Sequence, residues 1–133
     1  MDTLAKNVAE IDVIMPTWNS NKPYFKRVLV AIKKYVPLHH LIIIDRFSGD
    51  GTLEIARNIF HEDELVVIRS SARLAHARWI GIKHVDTPFF AFIDDDVEVM
   101  ANWFKECYRV ISLSRRIAAV QPLAVSPPRH AKL

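Results

Sequence analysis

An α/β fold, layered α/β/α around a mainly parallel sheet, is the class this sequence predicts, and three observations carry it. Short apolar runs alternate with segments of helical period from Ile11 onward. The runs are continuous, as in strands covered on both faces. Polar or acidic residues collect where the runs stop, and sheets of this kind bind ligands beyond the carboxyl ends of their strands.

Ile11 to Met15 is the first strand, stopped by Pro16 and the polar turn Thr17 to Lys22. Pro23 suits the first turn of a helix, where its missing N–H leaves nothing unpaired. Phe25, Val28, Leu29, Ile32 and Val36 then recur at three- and four-residue steps until Pro37 ends the run. Leu41 to Asp45 is a buried strand closing on an acid, with His39 and His40 in the surface turn before it. The loop "RFSGDGT" comes next, and Leu53, Ile55, Ala56, Ile59 and Phe60 carry a short helix. Leu65 to Ile68 is a third strand and Ala72 to His84 a third helix. Phe89 to Ile93 reads as a further buried strand. Asn102 caps a helix to about Ser114, with Trp103, Cys107, Val110 and Ile111 for its buried side. Ala118 to Leu123 is expected as a last short strand. The organisation expected is an N-terminal extension over 1–9, a single domain over 10–124 and a basic tail over 125–133.

At 133 residues, half of them hydrophobic and a quarter charged, the chain has the makings of one packed domain. Its net charge of +3 is spread along the sequence, and the Trp and Tyr residues do not alternate with the basic ones. A nucleic-acid platform is therefore not expected, and a phosphate-bearing small molecule is an equally good counter-ion. The single cysteine, Cys107, excludes an internal disulfide, and the six histidines show no paired-cysteine context for structural zinc. No apolar run nears the roughly 20 residues that cross a bilayer. A cytoplasmic protein is expected, with any membrane contact peripheral, at the inner face.

The chemistry lies in the strand-end residues: Pro16, Thr17, Trp18 and Asn19 after the first strand, Asp45 after the second, Arg69 after the third, and Asp94, Asp95 and Asp96 after the fourth. Carboxylates about 4 Å apart repel by a few kcal/mol at an effective dielectric near 20, so the triplet calls for a cation. Oxygen-only donors favour a hard ion, Mg²⁺ or Mn²⁺, which keeps open positions for substrate phosphates. Trp18, in a strand-end turn, can stack on a base.

Four blocks, "IDVIMPTWNS", "LIIIDRFSGDGT", "HARWIGIKHV" and "FFAFIDDDVEV", stand in the order and spacing of the glycosyltransferase family 2 catalytic domain, and from about residue 10 to 123 the chain resembles that family. The resemblance implies a GT-A fold, here truncated on its C-terminal side, and an inverting hexosyltransferase that uses a nucleoside-diphosphate sugar. By position, it sets Pro16 and Thr17 against the nucleotide base and Asp45 on the base and ribose side. Ser48, Asp50, Gly51 and Thr52 match the remainder of the second-strand motif, though a tight turn and a helix start use such residues too. Arg78 resembles the arginine that neutralises the diphosphate. Asp95 lies nearer the ribose, and Asp96, with Asp94, resembles the metal motif for Mn²⁺ or Mg²⁺.

The departures are Arg46 after Asp45, Phe47 in place of a small residue and Trp79 in place of asparagine. A cation beside the base pocket opens guanine and thymine as alternatives to uracil. Downstream of Asp96 only Glu98 and Glu106 could act as a base, so no catalytic residue is assigned. The expectation is a donor-binding portion whose acceptor half, for a saccharide, lipid or protein, comes from a missing C-terminal segment or from self-association. Among rivals, "IDDDV" fits a haloacid-dehalogenase-type phosphatase nucleophile only if it lay on the first strand. A receiver domain needs paired acids where Pro16 to Asn19 stand. A non-catalytic nucleotide-sugar-binding module needs only what the sequence contains.

Overall fold

The computed structural model describes residues 9–126 of the chain. It divides into two compact units at Met100/Ala101. The expected extension over 1–9 and tail over 125–133 lie almost wholly outside the described residues.

The first unit holds a parallel sheet in the order β3-β2-β1-β4, with β1 at Ile11–Thr17, β2 at Leu38–Asp45, β3 at Leu65–Arg69 and β4 at Phe90–Phe92. Three helices connect them, α1 at Phe25–Tyr35, α2 at Thr52–Ile59 and α3 at Leu74–Ile82. From β1 to β3 the chain steps in one direction, then returns past β2 and β1 to lay down β4. Right-handed crossovers therefore put α1 and α2 on one face and α3 on the other. On the α3 face, Ile14, Ile42, Ile44 and Ala77 form a buried cluster flanked by Val66, Ile68 and Ile80. Gly81 lets α3 come this close: a Cβ there would stand 2.4 Å from Ile14 Cγ2.

The expected strands are present from β1 to β4, with changes at their ends. Pro23 lies just outside α1, whose N-cap is Tyr24. His39 and His40 belong to β2 and not to a turn, because the Asp12 carboxylate accepts the His40 N–H and contacts the His39 ring, which holds both in the strand. The third helix begins at Leu74 and ends at Ile82, two residues inside each expected end. β4 is three residues long, and Phe90 and Phe92 are half-exposed, so it is an edge strand and not a fully buried one. It pairs with β1.

Pro16 shapes the carboxyl end of β1. Thr17 bonds toward β2 and Ile14 toward β4, through Arg46 N–H to Thr17 O and Ile93 N–H to Ile14 O. Alternation along the strand turns Pro16 toward β4, where it has no N–H to donate. Pairing with β4 has ended there while pairing with β2 continues to Thr17 and Asp45. Strand order reverses here, the point beside which open α/β sheets bind their ligands.

The second unit contains α4, Trp103–Ile111, with Asn102 as N-cap but no side-chain cap bond. None of its residues is buried, so the expected buried side is not formed. Residues 118–123 form no strand; Pro122 lacks a ladder donor, and the described residues of that segment offer no partner strand. No described helix is long and apolar enough to cross a membrane.

Candidate functional site

Asp45 closes β2 and is fully buried. Its Oδ1 accepts the Thr17 hydroxyl at 2.8 Å and the Ser48 hydroxyl at 2.6 Å, and its Oδ2 accepts the Ser48 N–H at 2.9 Å. Arg69 Nε stands 4.0 Å from Oδ2. A buried carboxylate is tolerated only when satisfied in this way. Its oxygens hold the β1 and β2 turns together.

The turns are joined further along. Ser48 Oγ also accepts the Asn19 N–H at 2.8 Å, and Asn19 Oδ1 accepts the Gly49 N–H at 3.0 Å. Thr52 donates its hydroxyl to Asp50 at 2.5 Å and accepts the Ser20 N–H at 2.8 Å. Asp50 takes the Asn21 N–H at 3.0 Å. Burial alone would raise the Asp50 pKa, but hydrogen bonds from Thr52 and Asn21 hold it below the usual carboxylate value. The "SGDGT" segment is thus a structural clasp, with Gly51 at φ 88° starting α2. Two residues reach the turn geometry through left-handed backbone, Asn19 at φ 47° and Phe47 at φ 50°.

Ser20 connects this clasp to the acids after β4. It accepts the Trp18 N–H at 3.2 Å and donates its hydroxyl to Asp95. Burial raises the Asp95 pKa; the Ser20 bond opposes this, and the charges of Asp96 and Asp94 add to the rise. Asp94 turns away to accept Arg78 Nη2 at 2.7 Å, and Arg78 lies 5.5 Å over the Phe92 ring. Arg78 Nε is buried with no hydrogen-bond partner. Asp96 is exposed.

A cleft of about 470 Å³ opens over these strand ends, lined by Pro16, Thr17, Trp18, Arg46, Arg73 and Asp95 among others. Trp18 is 60% exposed, with the Arg46 guanidinium 4.9 Å from its ring centre. Asp45 does not reach the lining; Thr17 covers it. A roomier depression beside Arg57, Phe60 and His61 lies away from the strand ends and gathers none of the expected residues. Ser20 and the Arg46–Trp18 pair were not legible as contacts, since nothing in a polar turn announces which distant acid or ring it meets.

The triplet does not form a three-carboxylate cage. Among the described residues, the one group of three acid or histidine donors spaced for an ion is Asp12, His39 and His40, at the other end of the sheet. One or two strand-end carboxylates fit an ion that takes its remaining ligands from phosphates. Burial raises Asp95 most, and the neighbouring charges of Asp96 and Asp94 add to it; that added part is what such an ion would relieve.

The sequence profile described as glycosyl transferase family 2 matches residues 12–130. The chain belongs to glycosyl transferase family 2. An uncharacterized glycosyltransferase of Haemophilus influenzae is 29% identical over 99 residues, covering 72% of this chain and 39% of that protein. S. aureus TarS, in a crystal structure of its residues 1–349, superposes with a TM-score of 0.67 at 24% identity, over 77% of this chain and 32% of that one. The mannosyltransferase PcManGT of Pyrobaculum calidifontis, in complex with GDP-Man and Mn²⁺, gives 0.67 at 21% identity, over 80% and 33%. The family member described here thus has the fold of GT-A glycosyltransferases and spans well under half the length of these relatives.

Proposed function

We propose that the cleft over the carboxyl ends of β1 and β2, edged by Asp95, binds a nucleoside-diphosphate sugar together with Mn²⁺ or Mg²⁺, as the donor half of an inverting hexosyl transfer to a saccharide, lipid or protein acceptor. The carrying observation is the Ser20–Asp95 hydrogen bond, which ties the first-strand turn to the acid triplet across the point where strand order reverses. The fold likeness to TarS, solved with UDP-GlcNAc, and to PcManGT, with GDP-Man and Mn²⁺, supports the ligand class.

The roles are assigned by position. Pro16 and Thr17 form the backbone wall for the base, and Trp18, Asn19 and the guanidinium of Arg46 edge it. Asp45 acts from behind, keeping Thr17 in place. Asp95, oriented by Ser20, takes the ribose side. Asp96, with Asp94 when Arg78 releases it, would hold the cation, which would supply Lewis-acid stabilisation of charge on the diphosphate. Arg78 is placed to exchange Asp94 for a phosphate oxygen, which would also satisfy its unpaired Nε.

A binding-only module is the second reading, favoured by Glu98: this nearest downstream acid is engaged in an exposed ion pair with Arg27 at 3.5 Å. Thermal shift with UDP-, GDP- and dTDP-sugars, with and without Mn²⁺, tests binding, and release of nucleoside diphosphate tests turnover. Stabilisation by one nucleotide class only when Mn²⁺ is present is expected, with affinity micromolar or poorer. No shift with any nucleotide sinks the proposal, and binding without donor hydrolysis or transfer selects the second reading.

A further inference from the structure

At the N-terminal edge of the sheet, opposite the cleft, Asp12 of β1 meets His39 and His40 of β2. The Asp12 carboxylate is fully buried, and backbone amides fix it from both sides: Oδ2 accepts the Asp86 N–H at 2.7 Å and Oδ1 the His40 N–H at 3.0 Å. Around the same Oδ1 stand His39 Nδ1 at 2.9 Å and His40 Nδ1 at 3.4 Å. Successive strand residues ordinarily face opposite sides of a sheet. Here both rings turn to one oxygen, their centroids 3.9 Å apart. A register irregularity between Ile11 and Val13, at Asp12 itself, accompanies this arrangement. Bulges of that kind re-aim side chains.

We infer that Asp12, His39 and His40 form a binding site for one late first-row divalent ion of the zinc class, separate from the strand-end acids. The donor set is one carboxylate and two imidazoles, which suits zinc, cobalt or nickel better than magnesium. The spacing suits it too: in a tetrahedron with bonds of about 2.0–2.1 Å the donors stand roughly 3.3 Å apart. The two measured separations from Oδ1 bracket that value, and donor atoms of all three residues lie within 4.8 Å of one another. The ion replaces the hydrogen that now links His39 to Asp12, and each ring ligates as a neutral imidazole with its proton on Nε2. Both imidazole side chains are about a third exposed or less, at 33% and 27%, which gives an ion a way in and leaves room for water as a fourth ligand. The two amides on Asp12 orient the ligand from outside, as second partners do in protein metal sites. An ion here would tie the starts of β1 and β2 and the connection at Asp86 together.

The test uses the untagged chain after treatment with EDTA. Titration with Co²⁺ should give the visible absorption of a four-coordinate ion at one equivalent, and Zn²⁺ should abolish it by displacement. A hundredfold excess of Zn²⁺ over its Kd should raise Tm by about 5–10 °C. His39→Gln and His40→Gln should each weaken binding about tenfold or more, while Asp96→Ala leaves the Co²⁺ spectrum intact. Should a histidine variant fail to fold, the ring signals of His39 and His40 in the wild-type NMR spectrum still decide, since both must shift on Zn²⁺ addition. Absence of the Co²⁺ spectrum up to about 1 mM, or a spectrum that survives in both histidine variants, overturns the inference.

Discussion

Thr17 and Asp45, the last residues of neighbouring parallel strands, share a hydrogen bond of 2.8 Å that is wholly buried. Because Asp45 also takes two bonds from Ser48, its removal strands several donors at once. Asp45→Ala should cost about 2–4 kcal/mol of unfolding free energy, measured by urea denaturation, and abolish nucleotide binding with it. Wild-type stability in that variant would mean the clasp is held elsewhere.

The cation proposal places its weight on Asp96. Calorimetric titration of Asp96→Ala with a nucleoside diphosphate should show no dependence on Mn²⁺. Its thermal stability should stay at the wild-type level or rise, because an exposed charge in a repelling cluster has been removed. Metal dependence that persists would assign the triplet to a solvated turn.

Phe47 holds φ 50° while 59% exposed, so it bears backbone strain and returns little by burial. Asparagine adopts this conformation more readily. Phe47→Asn should therefore stabilise the chain by roughly 0.5–1 kcal/mol. A loss of stability would show that the ring makes a contact worth more than the strain.

Asp50 supplies a pH dependence. Its folded pKa lies below the ordinary aspartate value of 3.8, so its contribution is fully present above that value and is lost as pH falls through the folded one. Asp50→Ala should be less stable than wild type by about 1 kcal/mol at neutral pH. The gap between the two melting curves should close as Asp50 protonates in acid. A gap that is the same at both ends of the range would trace the loss to packing.

The element order from β1 to α4 and the strand-end placement of Thr17, Asp45 and Asp95 were written in the sequence, because continuous apolar runs and three- and four-residue steps reflect burial that each segment needs wherever it packs. The turn residues Gly51 and Asn19 were legible as a turn for the same local reason. Tertiary structure alone decided that β4 lies at an edge with Phe90 and Phe92 half-exposed, since an apolar run does not state whether a neighbour covers it. It also decided that His39 and His40 sit in a strand, drawn there by a carboxylate 27 and 28 residues away in sequence. At the site the same division holds: three adjacent acids are visible as letters, but the separate fates of Asp94 on Arg78, Asp95 on Ser20 and Asp96 in solvent are set by partners from other elements. Local sequence encodes periodicity and turn chemistry; which charge meets which counter-charge depends on distances that exist only once the crossovers have brought the strand ends together.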